Sequence, residues 1–77
     1  MDKLSMLTDA KKHREDEVLE YQINIDNYRL AIEKAAQDPD MVEFKAQLES
    51  LLTSSIIEQK KAKIMLDVIT DQLKDMT

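Results

Sequence analysis

The stretch Gln37-Asp38-Pro39-Asp40-Met41-Val42-Glu43 lies close to the midpoint of the 77 residues, holds the only proline, and interrupts a chain that has no glycine. Proline lacks an N–H and fits the first turn of a helix, where that donor has no intrahelical partner. Asp38 is placed to cap the free amides of a following helix; Asp40 with Glu43 offers an alternative capping box. One punctuation mark therefore divides two arms of similar length. The spacing predicts an all-α, coiled-coil-like, two-helix antiparallel hairpin, with a helix over about 3–37, a turn over about 38–40 and a second helix over about 40–76.

Working back from the turn, a heptad-like series runs Leu4, Leu7, Lys11, Arg14, Val18, Tyr21, Ile25, Tyr28, Ile32, Ala35, and eight of these ten positions are apolar or aromatic. Residues spaced alternately three and four apart share one side of a helix, so this is a packing seam. A second stripe, Leu19, Ile23 and Leu30, falls roughly opposite it at about 100° per residue. Working forward, Phe44, Leu48, Leu51, Leu52, Ile56, Ala62, Met65, Leu66, Ile69, Leu73 and Met76 form a broad face, widened on one flank by Ile57, Ile64 and Val68. Thr53-Ser54-Ser55 has low helix propensity, and Ser55 with Glu58 supplies a capping box for a break there; with no Gly or Pro to enforce a stop, a continuous helix is the reading.

Folding the arms together about Asp38 and Pro39 gives a register in which partner numbers sum to 77. The expected hairpin core is Leu4, Leu7, Val18, Tyr21, Ile25, Tyr28 and Ile32 against Phe44, Leu48, Leu52, Ile56, Leu66, Ile69 and Leu73. At mid-height the layer is polar: Lys11 and Arg14 stand beside Ala62, Lys63 and Leu66, and Val18 faces Gln59. Polar layers cost stability but fix register. Arg14 is expected to meet Glu58, Asp67 or a partner's carboxylate, because an unpaired guanidinium in such a layer is strongly penalised.

Leu19, Ile23, Leu30, Ile57, Ile64 and Val68 are left over once the arms have covered each other, and they are the expected partner interface. A chain of this size buries only about 60–65% of the surface its unfolded form exposes. With no cysteine for a disulfide, the remaining source of stability is association, with itself as a helical bundle or with another helical chain.

Chemistry is sparse. His13 is the only histidine and no cysteine accompanies it, so it is read as solvent-facing. Glu15, Asp16 and Glu17 point in different directions from a helix and read as a solvated face; Asp38 and Asp40 are accounted for by capping. Phosphate loops, nucleophile elbows and dinucleotide fingerprints all require glycine. No catalytic, cofactor-binding or metal residues are assigned, and an enzyme is not expected. Tyr21, Tyr28 and Phe44 read as core or interface anchors. Met1, Met6, Met41, Met65 and Met76 lie toward the ends of the arms, where they serve as gap-fillers or as an adaptable partner surface.

The net charge of −5 excludes a generally basic surface that coats nucleic acid. Six of the eleven bases, Lys11, Lys12, Arg14, Lys60, Lys61 and Lys63, nevertheless fall at similar heights on the two arms. This belt is either a salt-bridge belt or a patch for an anion such as RNA. No apolar run approaches membrane-spanning length and the N-terminus shows no signal-peptide core, so a cytoplasmic location, or carriage within a larger assembly, is expected without membrane contact.

Leu30-Ala31-Ile32-Glu33-Lys34-Ala35-Ala36-Gln37-Asp38-Pro39-Asp40, followed by Phe44, Gln47 and Leu48, resembles the centre of the small helical-hairpin proteins of type III secretion, both needle subunits and their co-chaperones. The resemblance implies a hairpin that binds another helix of a secretion apparatus through Leu48, Leu52, Ile56, Tyr21 and Ile25. The overall plan is also similar to plasmid copy-number hairpins, which implies dimerisation into a four-helix bundle and RNA binding. The expected function is thus a non-enzymatic helical interaction module: an assembly component, adaptor or co-chaperone. The alternatives are a structural subunit of a large particle, such as a phage virion or secretion organelle, in which both chain ends are held, or a small RNA-binding regulator using the belt.

Overall fold

Asp2 starts the first helix. Its extended backbone and its carboxylate, which accepts from the Ser5 amide at 2.7 Å, satisfy one of the donors a helix start leaves open. The computed structural model describes residues 2–76, so Met1, Thr77 and the expectation that both ends are held lie outside them. Helix α1 runs Lys3–Ala35 and α2 runs Val42–Asp75, with a short 3₁₀ helix, Pro39–Met41, between them. The two long helices pack antiparallel as a hairpin, and no strand occurs among the described residues.

The turn works without glycine because it never enters the left-handed region: no described residue has positive φ. Helix α1 tightens at its end, with Gln37 and Asp38 amides donating to the Lys34 and Ala35 carbonyls at 3.2 and 3.1 Å. Asp38 is then extended, as a residue preceding proline prefers. Its carboxylate accepts from the Asp40 amide at 2.9 Å. The expected helix end near Gln37 is therefore two residues late, and the alternative Asp40–Glu43 box does not open α2, whose start carries no side-chain cap.

Helix α2 is continuous through Thr53-Ser54-Ser55. Thr53 bonds back to the Glu49 carbonyl at 3.1 Å, and Glu58 is turned to Lys61 at 3.0 Å instead of capping at Ser55.

The molecule measures 57 × 15 × 15 Å, one helix pair thick, so only the seam between the helices is dry. Ile25, at 2% exposure, is the most enclosed apolar side chain, joined by Leu48, Ile69, Ala35 and Ala62. Leu7, Val18, Tyr21, Tyr28, Ile32, Leu52, Ile56, Leu66 and Leu73 line the seam half-buried. Two expected core residues are not core. Leu4 is 48% exposed because it sits in the first turn of α1 at the open end, where little of α2 remains to cover it. Phe44 is 49% exposed: beside the turn the buried place goes to the small Ala35, with which Phe44 lines an open hollow.

Candidate interaction surface

All six residues expected at a partner interface are exposed, from 45% for Val68 to 62% for Ile64. On α1, Leu19, Ile23 and Leu30 stand roughly 120–160° around the helix from Ile25; on α2, Ile57, Ile64 and Val68 stand roughly 160–200° from Leu48, at about 100° per residue. The two stripes thus lie on the outward sides of the hairpin, back to back across the seam. Large aliphatic side chains about half exposed on both outer faces forgo roughly half of the about 1.5–3 kcal/mol that full burial of each is worth. Val42 continues the α2 stripe toward the turn, also exposed. Between Val42 and Ile57 lies a shallow hollow of about 440 Å³ lined by Ala46, Glu49, Ser50, Thr53 and Ser54.

A second hollow, of about 300 Å³, lies at the turn between Ala31, Lys34, Ala35, Asp38, Met41 and Phe44. Met6 in α1, Met65 in α2 and Met76 just past its end are exposed like Met41. Of the residues that the secretion-hairpin resemblance implies as contacts, Ile25 and Leu48 are buried in the seam, and Tyr21, Leu52 and Ile56 are half-buried along it.

The polar layer has a more definite structure than the sequence conveyed. Gln59 is 7% exposed; its carboxamide N–H donates to the Val18 carbonyl at 3.1 Å and to Gln22 Oε1 at 2.9 Å. A carbonyl oxygen has two lone pairs, so Val18 can serve its own helix and accept Gln59 as well. Gln22 in turn donates to Asp26 at 3.0 Å, which extends the relay from the seam to the outer surface of α1. The register places Val18 opposite Gln59, but nothing in the periodicity singles out Gln22.

Arg14 does not cross to α2. It pairs with Glu17 on its own helix at 2.7 Å, where a carboxylate three residues on lies on the same flank and costs no chain rearrangement. Lys12 pairs with Asp16 at 2.7 Å, and that carboxylate raises the lysine's pKa. Lys61 is paired with Glu58, so three of the six belt cations are held locally, while Lys11, Lys60 and Lys63 have no ion pair among the described residues. His13 is exposed, 3.5 Å from Glu17. Of the Glu15-Asp16-Glu17 run, two members are thus committed to these pairs.

No group of His, Cys, Asp and Glu side chains among the described residues is placed to hold a metal ion, and no helix there is long and apolar enough to cross a membrane. No protein-family model matches the chain, and neither a curated protein nor a solved structure matches it.

Proposed function

We propose that this chain is a helical protein–protein interaction module, an assembly component or adaptor that acts by binding and not by catalysis. The observation that carries the reading is the pair of outward apolar stripes: a two-helix hairpin needs one apolar face per helix, and here each helix has two. Covering such a stripe with a second helix removes aliphatic surface from water and supplies the burial that a 77-residue chain without a disulfide lacks.

A structural subunit of a large particle uses the same surface, so it is a special case of this reading. RNA regulation draws support only from Lys11, Lys60 and Lys63, since local carboxylates already hold the other belt cations. Salt-sensitive RNA binding abolished by Lys60→Glu with Lys61→Glu is the result that would favour it.

The test of the main reading is affinity capture with cross-linking from the native host. It compares the wild-type chain with one carrying Leu19→Glu and Ile64→Lys, both verified as helical by circular dichroism. A helical chain, this one included, recovered by the wild type and lost by the variant is the expected result. Equal recovery by both refutes the reading.

A further inference from the structure

We propose that the occupant of each outward stripe is a second copy of this chain, the α1 stripe of one molecule docking on the α2 stripe of the next. This deepens the interaction-module reading and rests on it. The argument comes from spacing. Leu19, Ile23 and Leu30 are separated by four and then seven residues; Ile57, Ile64 and Val68 are separated by seven and then four. Run antiparallel, the two stripes coincide: Leu19 with Val68, Ile23 with Ile64 and Leu30 with Ile57, every pair summing to 87. Each stripe occupies about 16 Å of helix at 1.5 Å per residue, so the three layers align in height as well as in order.

Two of the neighbouring levels agree in charge. In the same register Asp26 meets Lys61 and Lys12 meets Asp75, while Lys34 and Gln37 lie over Thr53 and Ser50 in the shallow hollow. Two levels oppose acids, Asp16 with Asp71 and Glu20 with Asp67; Lys12, already 2.7 Å from Asp16, offsets the first, and Lys63, one turn from Asp67, the second.

Pairing like stripes is poorer. Two α1 stripes run antiparallel with Leu19 on Leu30 set Ile23 against Asp26, and two α2 stripes with Ile57 on Val68 set Ile64 against Lys61. Parallel in-register pairs set Asp26 on Asp26 or Lys61 on Lys61. Each like pairing puts a charge on Ile23 or Ile64, or a like charge on itself, inside the stripe, whereas the unlike register keeps all three apolar layers and pairs Asp26 with Lys61, so the unlike contact is preferred.

An unlike contact is heterologous: one copy is left with a free α2 stripe and the other with a free α1 stripe, and growth continues unless the rotation closes a ring. Within a chain Gln59 bonds to residues 18 and 22, so its register sums lie near 77 to 81. The sum of 87 between chains then sets successive hairpins parallel, offset along the axis by about 10–15 Å at 1.5 Å per residue.

The experiment uses the full chain and two variants that each spoil one stripe, Ile23→Glu and Ile64→Glu, both at exposed positions. Sedimentation and light scattering follow mass from micromolar to millimolar concentration, with circular dichroism confirming helical, cooperatively melting chains. Expected results are a wild-type mass that climbs past the dimer, each variant monomeric alone, and a one-to-one heterodimer when the variants are mixed, since each supplies the stripe the other lacks. Asp26→Lys in the Ile64→Glu chain should weaken that heterodimer roughly fivefold, and Lys61→Asp in the Ile23→Glu chain should restore it.

A homodimer of either variant, a wild-type mass that stops at two, or a wild-type monomer with no heterodimer on mixing overturns the proposal. The interaction-module reading is judged separately. It falls only if the stripe-charged variant captures the same chains as the wild type.

Discussion

Gln59→Ala tests whether the polar layer holds the hairpin. The substitution removes both inter-helix hydrogen bonds, to the Val18 carbonyl and to Gln22. Each is worth about 0.5–1.5 kcal/mol net, and the lost buried methylene adds about 0.8 kcal/mol. Val18 keeps its own helical bond and Gln22, half-buried, can turn to water, so the penalty for orphaned groups is small. The expected destabilisation is about 2–4 kcal/mol. Against a total of about 4–11 kcal/mol for a domain of this length, that is a large fraction. Urea unfolding followed by circular dichroism reads it as a lower midpoint at unchanged slope, provided chain concentration is matched, because association shifts the midpoint too. Gln59→Leu is the companion: it loses the same bonds but keeps volume and adds apolar burial, so its stability should lie closer to the wild type. A double-mutant cycle with Gln22→Ala isolates the Gln59–Gln22 term. A Gln59→Ala change below about 0.5 kcal/mol, the range of ordinary surface substitutions, refutes the reasoning.

Ile25→Ala should cost about 2–4 kcal/mol by leaving a cavity in the seam, whereas Ile23→Ala, two residues away on the exposed stripe, should change monomer unfolding by less than about 0.5 kcal/mol. Asp38→Ala removes the bond to the Asp40 amide and should lower stability by about 1 kcal/mol in urea unfolding, with Asp38→Asn recovering most of it. Thr53→Ala with Ser54→Ala should raise the melting temperature, because both positions are exposed and alanine exceeds threonine and serine in helix propensity by about 0.5 kcal/mol each. For pH, the Ser5 amide lowers the Asp2 pKa below its ordinary 3.8, so the capping contribution is present above that value and fades as pH falls through the lowered one; Asp2→Asn should flatten the acid-side loss of order in the first turn of α1, read from NMR shifts of Ser5. Lys12 runs the opposite way: raised by Asp16 above 10.5, its contribution is present below that value and is lost only as pH rises through the raised one.

Much of the fold is legible in the sequence because its determinants are local. Pro39 with Asp38 marks the turn without help from distant residues, and the four-and-three spacing of Val18, Tyr21, Ile25, Tyr28 and Ile32 marks a seam whichever helix covers it. The same spacing, applied to what the seam leaves over, finds the two outward stripes. What periodicity misses depends on how much chain is present at a given level. Leu4 and Phe44 obey the seam pattern, yet one lies at the open end and the other beside the turn, where the opposite helix gives incomplete cover. Arg14 shows the converse error. Its position beside the seam suggests a partner across it, but Glu17 is one turn away on the same helix and is reached at no cost in register. Gln22 is invisible in a pattern of apolar residues because its role is a hydrogen bond, and only a distance reveals that.

The polar layer and the proposed self-docking are linked through register. In a hairpin whose seam is made of aliphatic side chains, sliding α2 by one helical turn, about 5.4 Å, exchanges one set of apolar contacts for a similar one. Gln59 breaks that near-degeneracy, because after a slip its carboxamide no longer faces both the Val18 carbonyl and Gln22. Fixing the register also fixes the height of the Ile57-Ile64-Val68 stripe relative to the Leu19-Ile23-Leu30 stripe on the other side of the same molecule. The offset between successive copies is the difference between the intermolecular and intramolecular registers, so a hairpin free to slip by a turn would admit offsets differing by about 5 Å and a row of copies without a defined repeat. Gln59→Leu is therefore expected to separate two properties that the wild type joins. Its monomer stays stable while its assemblies lose uniformity, seen as a broadened mass distribution at matched concentration. Uniform assemblies of Gln59→Leu would place the register in the aliphatic packing alone and leave Gln59 with no part in the assembly.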